Sequence, residues 1–119
     1  MSAQTPRVWT THVEDPKTPN ESIALDTAAW LAWLEAPTTR RFTFPVFDAR
    51  FGYIVSFMTV RKERRQRGGW YWSVYHRQGS RLQRIYLGRS ASVTRARLEE
   101  IAQTLRPLVG PPDPYAETW

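Results

Sequence analysis

The fold is indicated most clearly by residues 61–89, which read RKERRQRGG at 61–69, WYWSVYHR at 70–77 and QGSRLQRIYLGR at 78–89. Aromatic and β-branched residues at 70–76 favour a strand, and residues 82–87 alternate in the same way. Between them, Gln78-Gly79 includes the residue that tolerates the positive φ of a tight turn. We therefore predict a β-hairpin, preceded by a basic loop over 63–69 that bends at Gly68-Gly69.

The predicted hairpin has two unlike faces, because side chains alternate along a strand. A turn centred on Gln78-Gly79 gives the cross-strand pairs His76–Arg81, Val74–Gln83 and Trp72–Ile85. One face is predicted as core and carries Trp70, Trp72, Val74, Ile85 and Leu87. The other carries Tyr71, Ser73, Tyr75, Leu82, Arg84 and Tyr86. Its tyrosines offer large contact areas with polar tips, and its arginine suits phosphates and guanine edges. We interpret this second face as a binding surface; the alternative is a solvated face selected only for β propensity.

Charge is concentrated in the second half of the chain. The net charge is +6, but residues 61–106 hold twelve basic and three acidic side chains, whereas residues 1–60 hold five basic and six acidic ones. This asymmetry indicates a polyanionic partner. Eleven of the twelve basic residues are arginine, which favours bidentate phosphate contacts, although a GC-rich genome also raises arginine content.

The flanking segments complete one small domain. Arg7–Val13 could add an edge strand, and strands are predicted over 40–46 and 53–62. A first helix should be capped by Asp26, run from Thr27 to Ala36 and end at Pro37. A second should be capped by Thr94 or Ser92 and run to Leu105. We predict an α+β domain in which a three- to four-stranded antiparallel sheet packs against two helices, with boundaries at 1–22 for an N-terminal segment, 23–106 for the domain and 107–119 for a Pro-rich tail.

The helices supply the rest of the predicted core. Helical spacing selects Leu25, Ala29, Trp30, Trp33 and Leu34 in the first helix, and Leu98, Ile101, Ala102 and Leu105 in the second. We interpret the tryptophan pair as core rather than as an anchor for a partner. Arg95 lies in the first turn of the second helix, where the helix dipole disfavours cations, so a phosphate bound there would relieve the conflict.

Several classes of chemistry find no support in the sequence. There are no cysteines, which excludes disulfides and thiolate metal sites, and His12 and His76 do not have metal-ligand spacing. The acidic residues are scattered, and no glycine-rich phosphate loop is present. We therefore expect a non-enzymatic protein without cofactor or metal. The chain has no apolar run of 18 residues and a polar N-terminus, so we expect a cytoplasmic protein that does not bind membranes.

Several blocks together resemble a known module. They are Leu25-Asp26 with 29–34 (AWLAWL), the strand Phe42-Thr43-Phe44, Arg61–Trp72, the block Tyr86-Leu87-Gly88-Arg89, and 94–98. In this order they resemble the small N-terminal module found ahead of some bacterial LuxR-type, MalT-like transcriptional regulators and as short stand-alone proteins. The resemblance covers roughly residues 23–105. In those regulators a separate helix-turn-helix reads DNA, and no such unit is evident here.

The order of three strands and a helix is also similar in topology to the arm-binding domain of tyrosine recombinases and to the plant ethylene-response-factor domain. Those domains lay a three-stranded sheet in the DNA major groove. The positions that this resemblance implies for DNA contact are Arg61, Tyr71, Ser73, Tyr75, Arg84 and Tyr86.

We therefore predict a small bacterial DNA-binding module in transcription regulation or mobile-element biology. The candidate nucleic-acid-binding residues are Arg61, Lys62, Arg64, Arg65, Arg67, Tyr71, Ser73, Tyr75, Arg77, Arg81, Arg84, Tyr86, Arg89 and Arg95. Binding to single-stranded nucleic acid or RNA is a close variant, with DNA favoured over RNA, because tyrosines stack on bases. The alternative from another class is a protein-interaction or oligomerisation module, including a homodimer.

Overall fold

The computed structural model describes residues 5–105, in which two helices pack on one side of a six-stranded sheet. The elements in chain order are β1 (Arg7–Val8), β2 (Val13–Glu14), α1 (Ala28–Glu35), β3 (Arg41–Asp48), β4 (Tyr53–Arg65), β5 (Gly69–Gln78), β6 (Arg81–Gly88), a 3₁₀ turn (Ser90–Ser92) and α2 (Arg95–Leu105). The predicted Pro-rich tail at 107–119 lies outside the described residues.

The sheet has the strand order β2-β1-β3-β4-β5-β6. Strands β3 to β6 form an antiparallel meander, whereas β1 pairs in parallel with β3 through Arg7 and Thr43. The α+β class with two helices is confirmed. The prediction of three to four antiparallel strands is wrong in detail, because the described sheet has six strands and is mixed. The single edge strand expected at Arg7–Val13 is instead two strands of two residues, β1 and β2, which pair antiparallel with each other. The long connection that contains α1 allows β1 to run parallel to β3.

An aromatic cluster forms the centre of the core. Trp30 stacks on Trp33 with ring centroids 5.6 Å apart, and both rings contact Phe42 of β3. Phe42 in turn lies 5.4 Å from the ring of Trp72 in β5. All four side chains are buried, which confirms the interpretation of the tryptophan pair as core, whereas Ala29 is exposed.

Each buried indole N–H finds an acceptor, as burial of a polar group requires. Trp30 Nε1 donates to the backbone carbonyl of Val93 at 2.8 Å. Trp33 Nε1 donates to the Asp15 carboxylate at 2.9 Å, and Trp72 Nε1 donates to the Ser90 hydroxyl at 2.9 Å. These bonds connect α1, β5 and the 3₁₀ turn to one another and to the N-terminal segment.

The helix caps differ from the prediction at Asp26. Thr27 caps α1, since its hydroxyl accepts from the backbone N–H of Trp30 at 3.2 Å. Asp26 instead has φ of 61°, and its carboxylate accepts from the backbone N–H of Arg95 at 2.9 Å. A carboxylate at a helix N-terminus is favourable, so Asp26 occupies the place at α2 where a phosphate was predicted.

The long hairpin of β4 and β5 corrects the predicted loop at 63–69. Strand β4 continues to Arg65 and β5 begins at Gly69, so only Gln66-Arg67-Gly68 form the turn. Gly69 has φ of 72°, which favours glycine. Strand β3 begins at Arg41, opposite Arg61, so β4 and β5 extend beyond it. We call residues 63–71 the ribbon tip.

The register of β5 and β6 also differs from the prediction. The turn is formed by Gly79-Ser80, and Tyr75 pairs with Arg84 while Val74 pairs with Ile85. The predicted pairs are wrong by two residues, but a shift of two leaves every side chain on its predicted face. The observed ladder also has an irregularity between Ser73 and Trp72: Ser73 pairs with Tyr86, whereas Trp72 pairs with Gly88.

Candidate nucleic-acid interface

Within residues 5–105, the helices pack on one face of the sheet and no element covers the other. We call the uncovered side of β3 to β6 the open face, and define it by Arg41, Arg61, Glu63, Arg65, Tyr71, Tyr75, Arg84 and Tyr86, which alternate with the buried Phe42, Val60, Trp72 and Val74 of the covered face. These open-face side chains are partly or fully exposed. The open face thus carries arginine, tyrosine and a single carboxylate among its defining residues.

Guanidinium groups lie on tyrosine rings across the open face. The Arg61 guanidinium is 5.1 Å from the ring centroid of Tyr75. The Arg65 guanidinium is 4.9 Å from the ring of Tyr71 and 5.0 Å from that of Tyr86. Stacking on a ring restrains an arginine while its N–H donors at the edge of the group stay available, so the surface is ordered before it meets a ligand.

Arg84 is bound within a hydrogen-bonded network. Its Nε donates to the Tyr75 hydroxyl at 2.9 Å, and its Nη2 donates to the Tyr71 hydroxyl at 3.1 Å and to Glu63 at 3.2 Å. The Tyr75 hydroxyl donates to the other Glu63 oxygen at 2.9 Å. The hydrogen bond to Tyr75, followed by that to Glu63, raises the pKa of Arg84.

The same network keeps Glu63 ionised. Partial burial of its carboxylate would raise its pKa, but hydrogen bonds led by those from Tyr75 and Arg84 outweigh that effect, so the pKa of Glu63 lies below its ordinary value. Since Glu63 neutralises Arg84, the positive charge that the open face presents comes from its other arginines.

Two of those arginines face one another. Arg41 in β3 is the direct cross-strand partner of Arg61 in β4, and both are exposed. Like charges placed directly opposite on a sheet destabilise it. Among the described residues neither side chain forms an ion pair that would offset the repulsion. The pair is therefore suited to an anion supplied from outside the domain.

Ser73 lies on the side of β5 that forms the open face but is fully buried. It stands between Arg61 and Tyr86 in the sheet register, and these longer side chains flank its short one. Its hydroxyl is out of reach of a macromolecule, so we leave Ser73 out of the contact surface.

The other predicted residues of β4, Lys62 and Arg64, both lie on the side of the sheet away from the open face. Lys62 lies on the covered side, where its Nζ is 5.3 Å from the Trp72 ring and donates to the carbonyl of Ala36 at 3.1 Å. Burial is the main cause that lowers the pKa of Lys62. Arg64 also lies on the side away from the open face, 5.9 Å from the exposed ring of Trp70. Arg67 is exposed in the turn.

The four remaining candidates, Arg77, Arg81, Arg89 and Arg95, fall at three separate places. Arg77 and Arg81 are exposed beside the turn at the opposite end of the β5–β6 hairpin. Arg89 donates from Nη2 to the carbonyl of Gly68 at 2.6 Å and so lies at the ribbon tip. Arg95 is in the helical layer on the covered side, where it pairs with Glu99 at 2.8 Å. One ligand on the open face cannot reach Arg95.

Three residues that lie on the open face or at the ribbon tip and beside it were not among the predicted contact residues: Arg41, Arg40 and Trp70. Arg41 had a usable signal, because the alternation of Phe42 and Phe44 places it on the opposite face of β3. Arg40 and Trp70 had none, because their juxtaposition, with 5.7 Å between guanidinium and ring centroid, depends on how far β4 and β5 extend beyond the helices.

The open face is apolar toward the other end of β3 and β4. Phe47, Ile54 and Phe57 are 44%, 38% and 37% exposed, and Phe47 pairs directly with Ile54. The Arg7 guanidinium lies 4.4 Å from the ring centroid of Phe57, and the ring of Trp9 meets that of Phe57 edge to face. We call Phe47, Ile54 and Phe57 the apolar strip.

The described part of the chain contains neither a cluster of metal-ligating side chains nor a membrane-spanning helix. Within residues 5–105, no three His, Cys, Asp or Glu side chains are grouped so that they could hold a metal ion. The helices of the same residues lack the length and apolar character needed to cross a membrane.

The fold and the open face define a small α+β domain with a basic, aromatic sheet surface. No family model, curated protein or solved structure matches this chain.

Proposed function

We propose that the protein is a small DNA-binding module that contacts duplex DNA with its open face and ribbon tip. The observation that carries the proposal is the exposed Arg41–Arg61 pair, two cations held opposite one another with no carboxylate between them. A phosphate backbone supplies the missing anion and releases counterions on binding.

The arginines and tyrosines of the open face have different roles in this proposal. Arg41, Arg61 and Arg65 contact phosphates, which position the protein without reading sequence. Tyr71 and Tyr86, whose rings lie 5.4 Å apart and both carry the Arg65 guanidinium, supply contact area beside the phosphate contacts. Arg84 supports Tyr71 and Tyr75 from the side and keeps them in place.

The dimensions of the ribbon tip suit a major groove. The B-DNA major groove is about 12 Å wide and admits a two-stranded β-ribbon. The ribbon tip is such a ribbon, since β4 and β5 continue there beyond β3. Its arginines lie on both sides of the ribbon, with Arg65 on one and Arg64 on the other, so each can approach a different wall of the groove. Transcription regulation and mobile-element biology are the processes in which a module of this kind would act.

The test is a salt-dependent titration of labelled duplex DNA followed by fluorescence anisotropy. The double variant Arg41→Ala/Arg61→Ala should bind more weakly, and its plot of log K against log salt should be shallower by about 0.9 for each lost phosphate contact. The control is Arg95→Ala/Arg97→Ala, which removes the same formal charge from α2. Equal losses in the two double variants would show that binding follows net charge and would refute the assignment to the open face.

A second function is favoured by the apolar strip. Exposed contiguous apolar side chains mark interaction sites for proteins, and the strip continues the open face. In this alternative the open face binds a protein partner or a second copy of the chain. Sedimentation of the purified protein separates the two proposals, because a stable dimer that Phe57→Ser dissociates would favour the alternative, whereas a monomer that binds duplex DNA would favour the first.

A further inference from the structure

Trp70 is exposed on the side of the ribbon tip that faces away from the open face. It alternates with Trp72 and Val74, both fully buried, yet 42% of its own surface is exposed. Trp70 lies in the part of the hairpin that continues past the end of β3. Tryptophan is largely buried in most proteins, and an indole held on a rigid strand offers a wide stacking surface.

Two arginines flank this indole. The guanidinium of Arg40 is 5.7 Å and that of Arg64 is 5.9 Å from the ring centroid of Trp70. Neither arginine forms an ion pair within residues 5–105. Lys62 lies beside this group, and the only carboxylate among the described residues whose charge is seen to act on Lys62 is that of Glu35. Because three cations, Arg40, Lys62 and Arg64, then stand against one carboxylate, the surroundings of Trp70 are net positive. We call Trp70, Arg40 and Arg64 the Trp70 cluster.

A strand of nucleic acid could pass from the open face to the Trp70 cluster around the edge of β4. The last bond of the β3–β4 ladder is donated by the backbone N–H of Lys62 to the carbonyl of Arg40 at 2.8 Å. Beyond it, from Glu63 to Arg65, this edge has no strand partner among the described residues. Arg65 on the open face and Arg64 in the cluster are consecutive in β4, so one cation flanks this edge on each face of the ribbon.

We propose that the Trp70 cluster is a second binding site, in which the indole stacks on an unpaired nucleobase and the two arginines hold the phosphates beside it. An aromatic ring within a cationic groove is the usual way in which proteins bind single strands. The inference deepens the proposed DNA-binding function, on which it rests, and names the substrate as duplex DNA with a single-stranded extension.

The experiment compares three labelled ligands by anisotropy: a blunt duplex, the same duplex with a single-stranded thymine extension, and the thymine strand alone. The wild-type protein should prefer the extended duplex to the blunt one. Trp70→Ala should weaken binding of the extended duplex by about fivefold to a hundredfold, as expected for one stacked base, and should weaken binding of the blunt duplex clearly less. Trp70→Phe should restore most of the preference, because a smaller ring still stacks.

The outcomes separate the two proposals. Equal effects of Trp70→Ala on both duplexes, or no effect on either, would overturn the second site while duplex binding stands. If the wild-type protein binds none of the ligands at about 50 mM salt, both the proposed DNA-binding function and the proposed second site are refuted. Circular dichroism and a thermal melt of both Trp70 variants check that the exposed position leaves the fold intact.

Discussion

Replacement of Glu63 by glutamine should strengthen binding to duplex DNA. Glu63 is the only acidic residue among those that define the open face, and it accepts from Arg84 at 3.2 Å and from Tyr75 at 2.9 Å. Glutamine has nearly the same shape and keeps an acceptor for the Tyr75 hydroxyl. It lacks the negative charge that holds Arg84, so the guanidinium becomes available to a phosphate.

The size of the effect follows from the number of phosphates contacted. One additional phosphate contact steepens the plot of log K against log salt by about 0.9. Between about 50 and 200 mM salt, the gain of Glu63→Gln over the wild-type protein should therefore shrink by about 3.5-fold. Removal of a repulsion without a new phosphate contact would raise the affinity but leave the slope nearly unchanged.

The assay is the anisotropy titration with the blunt duplex at several salt concentrations. Glu99→Gln is the matched control, because Glu99 also neutralises an arginine, Arg95 at 2.8 Å, and the substitution changes the net charge equally. That pair lies on α2, on the covered side. Glu99→Gln should therefore have a smaller effect on affinity and none on the slope.

Two results would refute this reasoning. An unchanged slope and affinity in Glu63→Gln would mean that the open face does not meet phosphates. An equal gain in Glu99→Gln would mean that only the total charge matters and that no particular face binds. A thermal melt of each variant excludes unfolding as the cause of a negative result.

Two further predictions concern stability. Burial lowers the pKa of His76 from its ordinary 6.5, and its Nδ1 is buried with no hydrogen-bond partner, so the unfolded chain binds the proton more readily than the folded protein. Stability should be fully present above about pH 6.5 and fall as the pH drops below it, and in urea titrations at pH 7.5, 6.5 and 5.5 His76→Gln should flatten this dependence; equal dependences would exclude His76 as the cause. Asp26→Ala should lower the free energy of unfolding by about 0.5–2 kcal/mol, because it removes the acceptor for the Arg95 N–H, whereas Asp26→Asn, which tolerates positive φ, should lose less. Identical urea midpoints for Asp26→Ala and wild type would show that this cap contributes nothing.

The sequence indicates most of the strands and both faces of the hairpin because these depend on local alternation. The predicted register of β5 and β6 differs from the observed one by two residues. The assignment of side chains to the two faces is nevertheless correct, because side chains alternate with a period of two. The predicted cross-strand neighbours were wrong. The observed pairing of Tyr75 with Arg84 is what brings Glu63, Tyr75 and Arg84 together. Contacts of this kind depend on tertiary register, which a single sequence specifies weakly.

Trp70 and Asp26 show two other limits. Alternation places Trp70 on the core side of β5, but whether that side is covered depends on where the helices end. Asp26 has the residue type of an N-cap, yet Thr27 caps α1 and Asp26 serves the other helix, α2. Residue type identifies a capping group here, whereas the helix that it caps is a property of the folded chain.

The strand order separates two stages in the way that this chain can fold. Strands β3 to β6 are consecutive hairpins joined by short turns, so their contacts form over short loops. Strand β1 reaches β3 only after the chain has passed through α1, and Arg7 pairs there with Thr43. Low contact order in the meander favours its early formation, with the N-terminal segment closing onto β3 afterwards. The open face of β3 to β6 would thus be assembled before the edge of the sheet is completed.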